Sequence, residues 1–319
     1  MHSGRFTPIL IIGFNRPQTI AILLAEVEKL DPREIWISID GPRLQIDVTS
    51  VQETLTIVQG WALQSKHTIT IIEQETNLGI YLHCMKALVD FYKIYDVGIV
   101  LEDDIEFHPQ LIRFVDENQA ELRSGRIWSI CGHNPASDLI DSPTGLDVKF
   151  NPTHVHTIWG WAAHRNAILQ FVELTRELTL SEANVIINQA AKRITSDPFV
   201  RLGLQKVWEH KIARALDSNS GGGWDNYWLL AGWNSGLPSL MPSYSLSREN
   251  PLQNEGQTHA HISTGKPWGM PSLQTEVDLE IRLDTRIMDI PKLKVWGITR
   301  RYCWLYLPRI LCWKPNVNS

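Results

Sequence analysis

Short apolar runs alternate with longer amphipathic segments through the first 130 residues of the chain. The run at residues 8–13 predicts a buried strand, and apolar side chains at helical spacing predict a helix over residues 18–30. The pattern predicts strands at 8–13, 35–40, 68–73, 97–102 and 127–132, with helices at 18–30, 51–61 and 82–95. Strand-helix-strand alternation of this kind is typical of an α/β protein with a mostly parallel central sheet and helices on both faces.

The second half of the chain is less regular. Helices are predicted at 163–178, 181–194 and 200–216, and residues 242–271 are rich in Ser, Asn, Gly, His and Pro, which indicates a long functional loop. No internal repeat or low-complexity linker interrupts the chain. We therefore interpret residues 1–273 as one domain and residues 274–319 as a C-terminal tail.

Composition narrows the class of protein. Hydrophobic residues make up 43% and charged residues 20% of the 319 residues, as in soluble globular proteins, and the net charge of -5 argues against a nucleic-acid partner. The four cysteines form no CxxC pair, which argues against a zinc cluster. No signal peptide or spanning helix is predicted, so the expected compartment is the cytoplasm. The 13 Trp residues are more numerous than either the 8 Phe or the 7 Tyr residues, and they are concentrated in particular segments.

One of these segments is the tail. Residues 285–319 contain seven basic residues opposed by one acidic residue, with aromatic side chains interleaved between them. Basic and aromatic residues together suit a membrane interface, which predicts peripheral contact with the inner face of the membrane. The alternative is that the aromatic residues pack on the domain.

Three consecutive carboxylates begin at the last residue of the predicted strand at 97–102. Glu102, Asp103 and Asp104 would repel one another at the end of a strand, and a divalent cation relieves that repulsion. Such ions prefer oxygen ligands, and a nucleotide diphosphate can supply the remaining ones. A solvated acidic turn is the alternative interpretation.

The surrounding motifs favour the first interpretation. In chain order they are FNRP at 14–17, DG at 40–41, NLG at 77–79, EDD at 102–104, WGWA at 159–162, WDNYW at 224–228, SREN at 247–250 and GQTH at 256–259. Together they resemble the nucleotide-diphospho-sugar transferases of the GT-A fold, in particular the N-acetylglucosaminyltransferase I type and its bacterial relatives. The resemblance covers residues 8–261, and the order of the motifs is more specific than any one of them.

The resemblance implies roles for the residues at the strand ends. Arg16 and Asp40 match residues that contact the nucleotide base. Glu102 and Asp103 match positions that contact the sugar and ribose of the donor. Asp104 matches the residue that coordinates Mn²⁺ or Mg²⁺ in the acidic motif of the DXD type.

Later motifs carry further implied roles. Asp225 matches the aspartate that serves as catalytic base, with an N-cap role as the alternative. His259 matches a histidine that faces the metal or the diphosphate, and His261 competes for this position. Arg248 resembles an arginine that anchors a phosphate or a loop, or else forms a surface salt bridge. Trp161 either walls the sugar site or packs in the core.

The function predicted in this way is metal-dependent transfer of a sugar from a nucleotide diphosphate donor to a saccharide or glycolipid acceptor. UDP is the nucleotide that the resemblance implies, and a growing cell-surface saccharide is a fitting acceptor. A carboxylate base at Asp225 implies inversion at the anomeric carbon. The alternatives are a catalytically inactive nucleotide-sugar-binding protein and a sugar nucleotidyltransferase, although FNRP stands where the latter usually carries a Gly-rich loop.

Overall fold

The alternating apolar runs of the N-terminal half form adjacent strands with helices packed against them. The computed structural model describes residues 6–134, 149–217 and 223–250. Its first elements are β1 Ile9–Gly13, α1 Pro17–Val27, β2 Glu34–Ile39, a 3₁₀ helix Gln45–Asp47, α2 Val48–Ala62, β3 Thr68–Glu73, α3 Ile80–Ile94 and β4 Val97–Glu102. The strands and helices predicted for this region are confirmed, with ends that differ by a few residues.

The later elements are shorter strands and longer helices. They are β5 Ile105–Phe107, α4 Pro109–Glu117, α5 Gln119–Arg123, β6 Ser129–Cys131, β7 Phe150–Thr153, β8 Trp161–His164, α6 Arg165–Arg176, α7 Leu180–Ile194, α8 Pro198–Asp217, α9 Trp224–Ser235, β9 Ser239–Pro242 and β10 Ser247–Glu249. The helix predicted from residue 163 begins only at Arg165. The preceding residues instead form β8, which pairs with β4 on one side and β6 on the other.

The main sheet has eight strands in the order β3-β2-β1-β4-β8-β6-β9-β7, and β5 pairs with β10 in a separate two-stranded sheet. Strands β1 to β4 are parallel, whereas β8 is antiparallel to both of its neighbours and β7 is antiparallel to β9. The α/β class is therefore confirmed, with a mixed sheet. Parallel pairing is found among β1 to β4 and between β6 and β9, and the remaining pairs of the sheet are antiparallel.

Alternate residues of the strands point to opposite faces of the sheet. Ile9 and Ile11 pack with residues of α1, α2 and α4, while Leu10 and Ile12 pack with residues of α3, α6 and α9. This alternation follows from the two-residue repeat of a strand, and a strand that is apolar at every position needs cover on both faces. The predicted helices on both faces are present.

Several predictions concern residues outside the described ranges. These are the boundary between residues 273 and 274, the basic and aromatic tail at 285–319, and the candidate ligands His259 and His261. Within residues 6–134, 149–217 and 223–250, no helix has both the length and the apolar character needed to cross a membrane.

Candidate active site at the carboxyl edge of the parallel strands

Three of the predicted polar segments meet at one edge of the sheet. Strand β1 lies between β2 and β4, with Gly13 opposite Ile39 and Ile12 opposite Glu102. Because these strands are parallel and in register, the residues that follow them emerge side by side. Residues 14–16, Asp40 and residues 102–104 therefore line the same edge, where α/β proteins bind their ligands.

The guanidinium of Arg16 joins two of the carboxylates. Its Nη1 lies 2.8 Å from Asp103 Oδ1 and 2.6 Å from Asp104 Oδ2. The other oxygen of Asp103 accepts a hydrogen bond from the backbone N–H of Phe14 at 2.9 Å. Burial opposes the charge on Arg16, but Asp103 and Asp104 more than offset this effect, so its pKa lies above the ordinary value. The structure thus directs Arg16 to the acidic segment, whereas the sequence predicted contact with the nucleotide base.

One guanidinium does not neutralise the carboxylates at this edge. Burial raises the pKa of Asp104 to about 7; Arg16 opposes the rise, and Asp103 and Glu249 add to it. Burial also raises the pKa of Glu102 well above its ordinary value, with a further contribution from Asp104. Burial is the main cause of both upward shifts, and the neighbouring carboxylates add to them; a bound cation would stabilise the ionised forms against both effects.

The described side chains do not form a complete protein cage for a metal. No three His, Cys, Asp or Glu side chains in the described ranges are placed to hold an ion together. Hard divalent cations also accept phosphate and water oxygens, so a single carboxylate can suffice when a diphosphate is bound. Among the described residues, the buried carboxylate of Asp104 is the one that the acidic segment could offer to such an ion.

Helix α9 packs against α3 and carries Asp225 in its first turn. Gly223 is the N-cap of this helix, and Asp225 lies in its first turn without a capping role. Its side chain retains solvent exposure, yet the surrounding protein partly desolvates the carboxylate and raises its pKa. Asp225 also contributes to the raised pKa of Glu102, so the two carboxylates act on each other through space. The ring of Tyr227 packs edge-on against Tyr81 of α3, with centroids 5.7 Å apart, and holds α9 against α3.

Asp40 anchors the loop before α3. Its Oδ1 accepts hydrogen bonds from the backbone N–H groups of Gly41 and Leu78, and its Oδ2 accepts from the N–H of Gly79 and from Asn77 Nδ2. These bonds occupy the four acceptor positions of a carboxylate. Asp40 is therefore engaged by protein, although the sequence predicted that it faces the base.

The same loop explains the glycine of the DG motif. A Cβ atom at Gly41 would lie 2.5 Å from the backbone carbon of Thr76. Any larger residue would push the loop at 76–79 away from the end of β2, and Asp40 would lose its partners. The DG motif at 40–41 and the NLG motif at 77–79 therefore contact each other: Asp40 accepts hydrogen bonds from the loop, and Gly41 leaves room for its backbone.

The tryptophans of the two aromatic motifs are mainly core residues. Trp161 is 1% exposed, and its ring lies 4.4 Å from that of Trp228, which is fully buried. Trp224 is 2% exposed and belongs to the same cluster. The structure places Trp161 in the core between the sheet and α9, where its ring has no open face for a sugar. Trp159 differs, since it is half-buried.

Arg248 lies in β10 and pairs across the small sheet. Its Nε is 2.7 Å from Glu106 Oε2, and both side chains are partly exposed. This is the surface salt bridge that the sequence left as an alternative. Beyond it, the backbone N–H of Asn250 donates to the carbonyl of Asp104 at 2.6 Å, which brings the end of β10 to the acidic segment.

Sequence reasoning missed two residues near this edge. Glu249 adds to the negative charge around Asp104, and His133 follows β6 and packs on Trp159. A signal for His133 was available, because a polar residue directly after a short apolar strand is a candidate for this edge.

No protein-family model matches this chain, and a search of curated proteins finds no significant match. Residues 14–16 and 102–104 meet at one edge of the sheet, and the charge of Asp225 contributes to the raised pKa of Glu102. Asp40 and Trp161 have mainly structural contacts.

Proposed function

We propose that this chain is a metal-dependent glycosyltransferase of the GT-A fold, which moves a sugar from a nucleotide diphosphate donor to a saccharide hydroxyl with inversion. The observation that carries the proposal is the meeting of Arg16 with Asp103 and Asp104 at the carboxyl edge of the parallel strands, at 2.8 and 2.6 Å. Asp225, in the first turn of α9, adds negative charge that contributes to the raised pKa of Glu102. The order of the motifs supports the choice of family.

The charge at the edge suits the leaving group. When the bond between the anomeric carbon and the phosphate oxygen breaks, negative charge builds on the diphosphate. A bound Mn²⁺ or Mg²⁺ ion would act there as a Lewis acid. Asp104 would hold the ion, and Arg16 keeps Asp103 and Asp104 in fixed positions through its two short contacts.

Asp225 is proposed to move the proton. The acceptor hydroxyl loses its proton as its oxygen bonds to the anomeric carbon, and the carboxylate of Asp225 accepts that proton as a general base. A raised pKa makes an ionised carboxylate a stronger base. Attack on the side opposite the departing diphosphate inverts the anomeric configuration.

We further propose a UDP-sugar as the donor and a saccharide, free or carried on a lipid, as the acceptor. Residues 285–319 would hold the enzyme on the inner face of the membrane by basic and aromatic contacts. Partition into anionic liposomes of the full chain and of a chain lacking 285–319 tests this part. We expect weaker partition of the shortened chain; equal partition would contradict the membrane contact.

Hydrolysis of nucleotide sugars tests the main proposal. We expect the full chain to release nucleotide diphosphate from at least one UDP- or GDP-sugar with Mn²⁺ and to lose this activity in EDTA. Asp104→Ala should abolish both turnover and thermal stabilisation by the donor with Mn²⁺, whereas the exposed Asp31→Ala should behave as wild type. Stabilisation by a donor without any turnover would instead indicate a nucleotide-sugar-binding protein.

A further inference from the structure

His133 and Trp159 form an aromatic pair beside β10. Their ring centroids are 4.5 Å apart at an interplanar angle of 53°, and both residues are half-buried. His133 Nδ1 lies 3.1 Å from the carbonyl oxygen of Ser247 and 3.2 Å from Ser245 Oγ. The hydroxyl of Ser245 donates to the carbonyl of Asn134, so it can accept from the imidazole. The ring of His133 is therefore held in one orientation.

These contacts define the tautomer of His133. A carbonyl oxygen accepts hydrogen bonds only, so Nδ1 must carry the proton and Nε2 of the neutral ring is an acceptor. Burial lowers the pKa of His133 to about 4, and the bond to Ser247 opposes this only in part. The imidazole is thus neutral near pH 7.

The pair presents one acceptor and one donor. Within residues 6–134, 149–217 and 223–250, neither His133 Nε2 nor the indole Nε1 of Trp159 has a hydrogen-bond partner, and neither is among the fully buried polar atoms that lack one. Two rigid rings that carry an unpaired donor and an unpaired acceptor can bind neighbouring hydroxyls of a sugar, each of which both donates and accepts.

Strand β10 links the pair to the acidic segment. Ser247 accepts from His133 through its carbonyl, and its Oγ donates to the carbonyl of Trp159. Three residues later, Asn250 donates to the carbonyl of Asp104. One short strand thus holds the aromatic pair at one end and the candidate metal ligand at the other.

We propose that His133 and Trp159 form the subsite for the acceptor saccharide, in which Nε2 of His133 accepts from one sugar hydroxyl and the indole N–H of Trp159 donates to another. The inference rests on the proposed function, because it assigns this pair to the second substrate of the same site. It makes His133 and Trp159 binding residues, with proton removal left to Asp225.

Binding of methyl glycosides tests the subsite. Methyl glucosides, galactosides, mannosides and N-acetylglucosaminides would be titrated by saturation-transfer NMR into the full chain with UDP and Mn²⁺. We expect at least one glycoside to bind, and we expect His133→Leu and Trp159→Phe each to weaken binding about tenfold. His133→Gln retains a side-chain acceptor and should stay within about threefold of wild type, as should the exposed control His210→Leu.

The outcomes separate this inference from the proposed function. Thermal unfolding of each variant would verify that it is folded. If His133→Leu does not fold, the comparison of wild type with His133→Gln and Trp159→Phe still tests the subsite. Absence of glycoside binding to wild type, or equal binding by wild type and His133→Leu, overturns the subsite. So does equal loss in His133→Leu and His133→Gln, which indicates a packing role. Donor hydrolysis by wild type is measured separately, and its failure would overturn the proposed function instead.

Discussion

The guanidinium of Arg16 lies 2.6 Å from the carboxylate of Asp104, although 88 positions separate them in the chain. The side chains are 14% and 11% exposed, so water screens this pair only weakly. The contact ties the segment after β1 to the acidic end of β4. A cation that approaches Asp104 would therefore meet a carboxylate that already has one positive partner and still has a raised pKa.

Replacing Arg16 should destabilise the fold, because Asp103 and Asp104 are buried and Arg16 is their cationic partner. We expect Arg16→Ala to lower the free energy of unfolding by about 3 kcal/mol at pH 8, because it leaves Asp103 and Asp104 without their partner. The loss should be smaller at pH 5, where Asp104 can take up a proton. Urea unfolding at both pH values measures this. Lys86→Ala removes the exposed pair with Asp90 and should cost less than about 1 kcal/mol; an equal loss in the two variants would contradict the prediction.

The raised pKa of Asp104 predicts an unusual dependence of stability on pH. Its pKa is about 7 in the folded protein against 3.8 for an ordinary aspartate. Between these values the folded state binds more protons than the unfolded state, so the free energy of unfolding should fall as pH rises from about 4 to 7. Asp104→Asn cannot ionise and should remove about 2–4 kcal/mol of that fall.

Urea unfolding in EDTA at pH 5 and pH 8 measures this effect. Asp90→Asn serves as the control, because the pKa of Asp90 is lowered by its lysine partners and its loss should not reduce the fall. An unchanged pH dependence in Asp104→Asn would remove Asp104 as the source. Mn²⁺ should restore stability at pH 8 in wild type more than in Asp104→Asn.

The anchoring role of Asp40 predicts a loss of stability on a small change. In Asp40→Asn one carboxylate oxygen becomes an NH₂ group that faces N–H donors, so at least one pair of bonds is replaced by a donor–donor contact. We expect the free energy of unfolding to fall by about 2–3 kcal/mol. Urea unfolding beside Asp31→Asn, a change at an exposed aspartate, measures it. A loss no larger than that of Asp31→Asn would show that the loop does not depend on Asp40.

The role of Asp225 predicts separate effects on binding and turnover. Asp225→Asn should leave thermal stabilisation by the donor and Mn²⁺ unchanged. It should lower kcat for donor hydrolysis by about 10²-fold or more, which is the effect expected when a general base is lost. Because the pKa of Asp225 is raised, kcat of wild type should fall on acidification at a higher pH than for an ordinary carboxylate.

The exposed Asn234→Ala on the same helix is the control for both measurements, and it should match wild type. Equal loss of donor stabilisation and of turnover in Asp225→Asn would assign Asp225 to binding. An acidic limb of the pH profile that persists in Asp225→Asn would assign the titrating group to another residue.

The strands β1 to β4 and the helices between them could be predicted from the sequence, for a physical reason. Residues 8–13 and 97–101 are apolar at every position, and such strands must be covered on both faces, which predicts the alternation with helices. Short strands such as β8 were not readable. Ala163 and His164 were predicted as the start of a helix, but they lie in strand β8, where β4 and β6 supply hydrogen-bonding partners from elsewhere in the chain.

The sequence by itself determined which residues could carry the chemistry. Acidic residues placed directly after a buried strand reach the carboxyl edge of the sheet, and Asp103, Asp104 and Arg16 needed only the parallel register to meet. The tertiary structure decided how each one is used. Asp40 anchors a loop and Trp161 packs in the core, while the bond of His133 Nδ1 to Ser247 leaves Nε2 as the acceptor of the imidazole. Whether a polar side chain finds hydrogen-bond partners, and how deeply it is buried, depends on atoms from distant parts of the chain. The spacing of residues along the sequence does not predict either property.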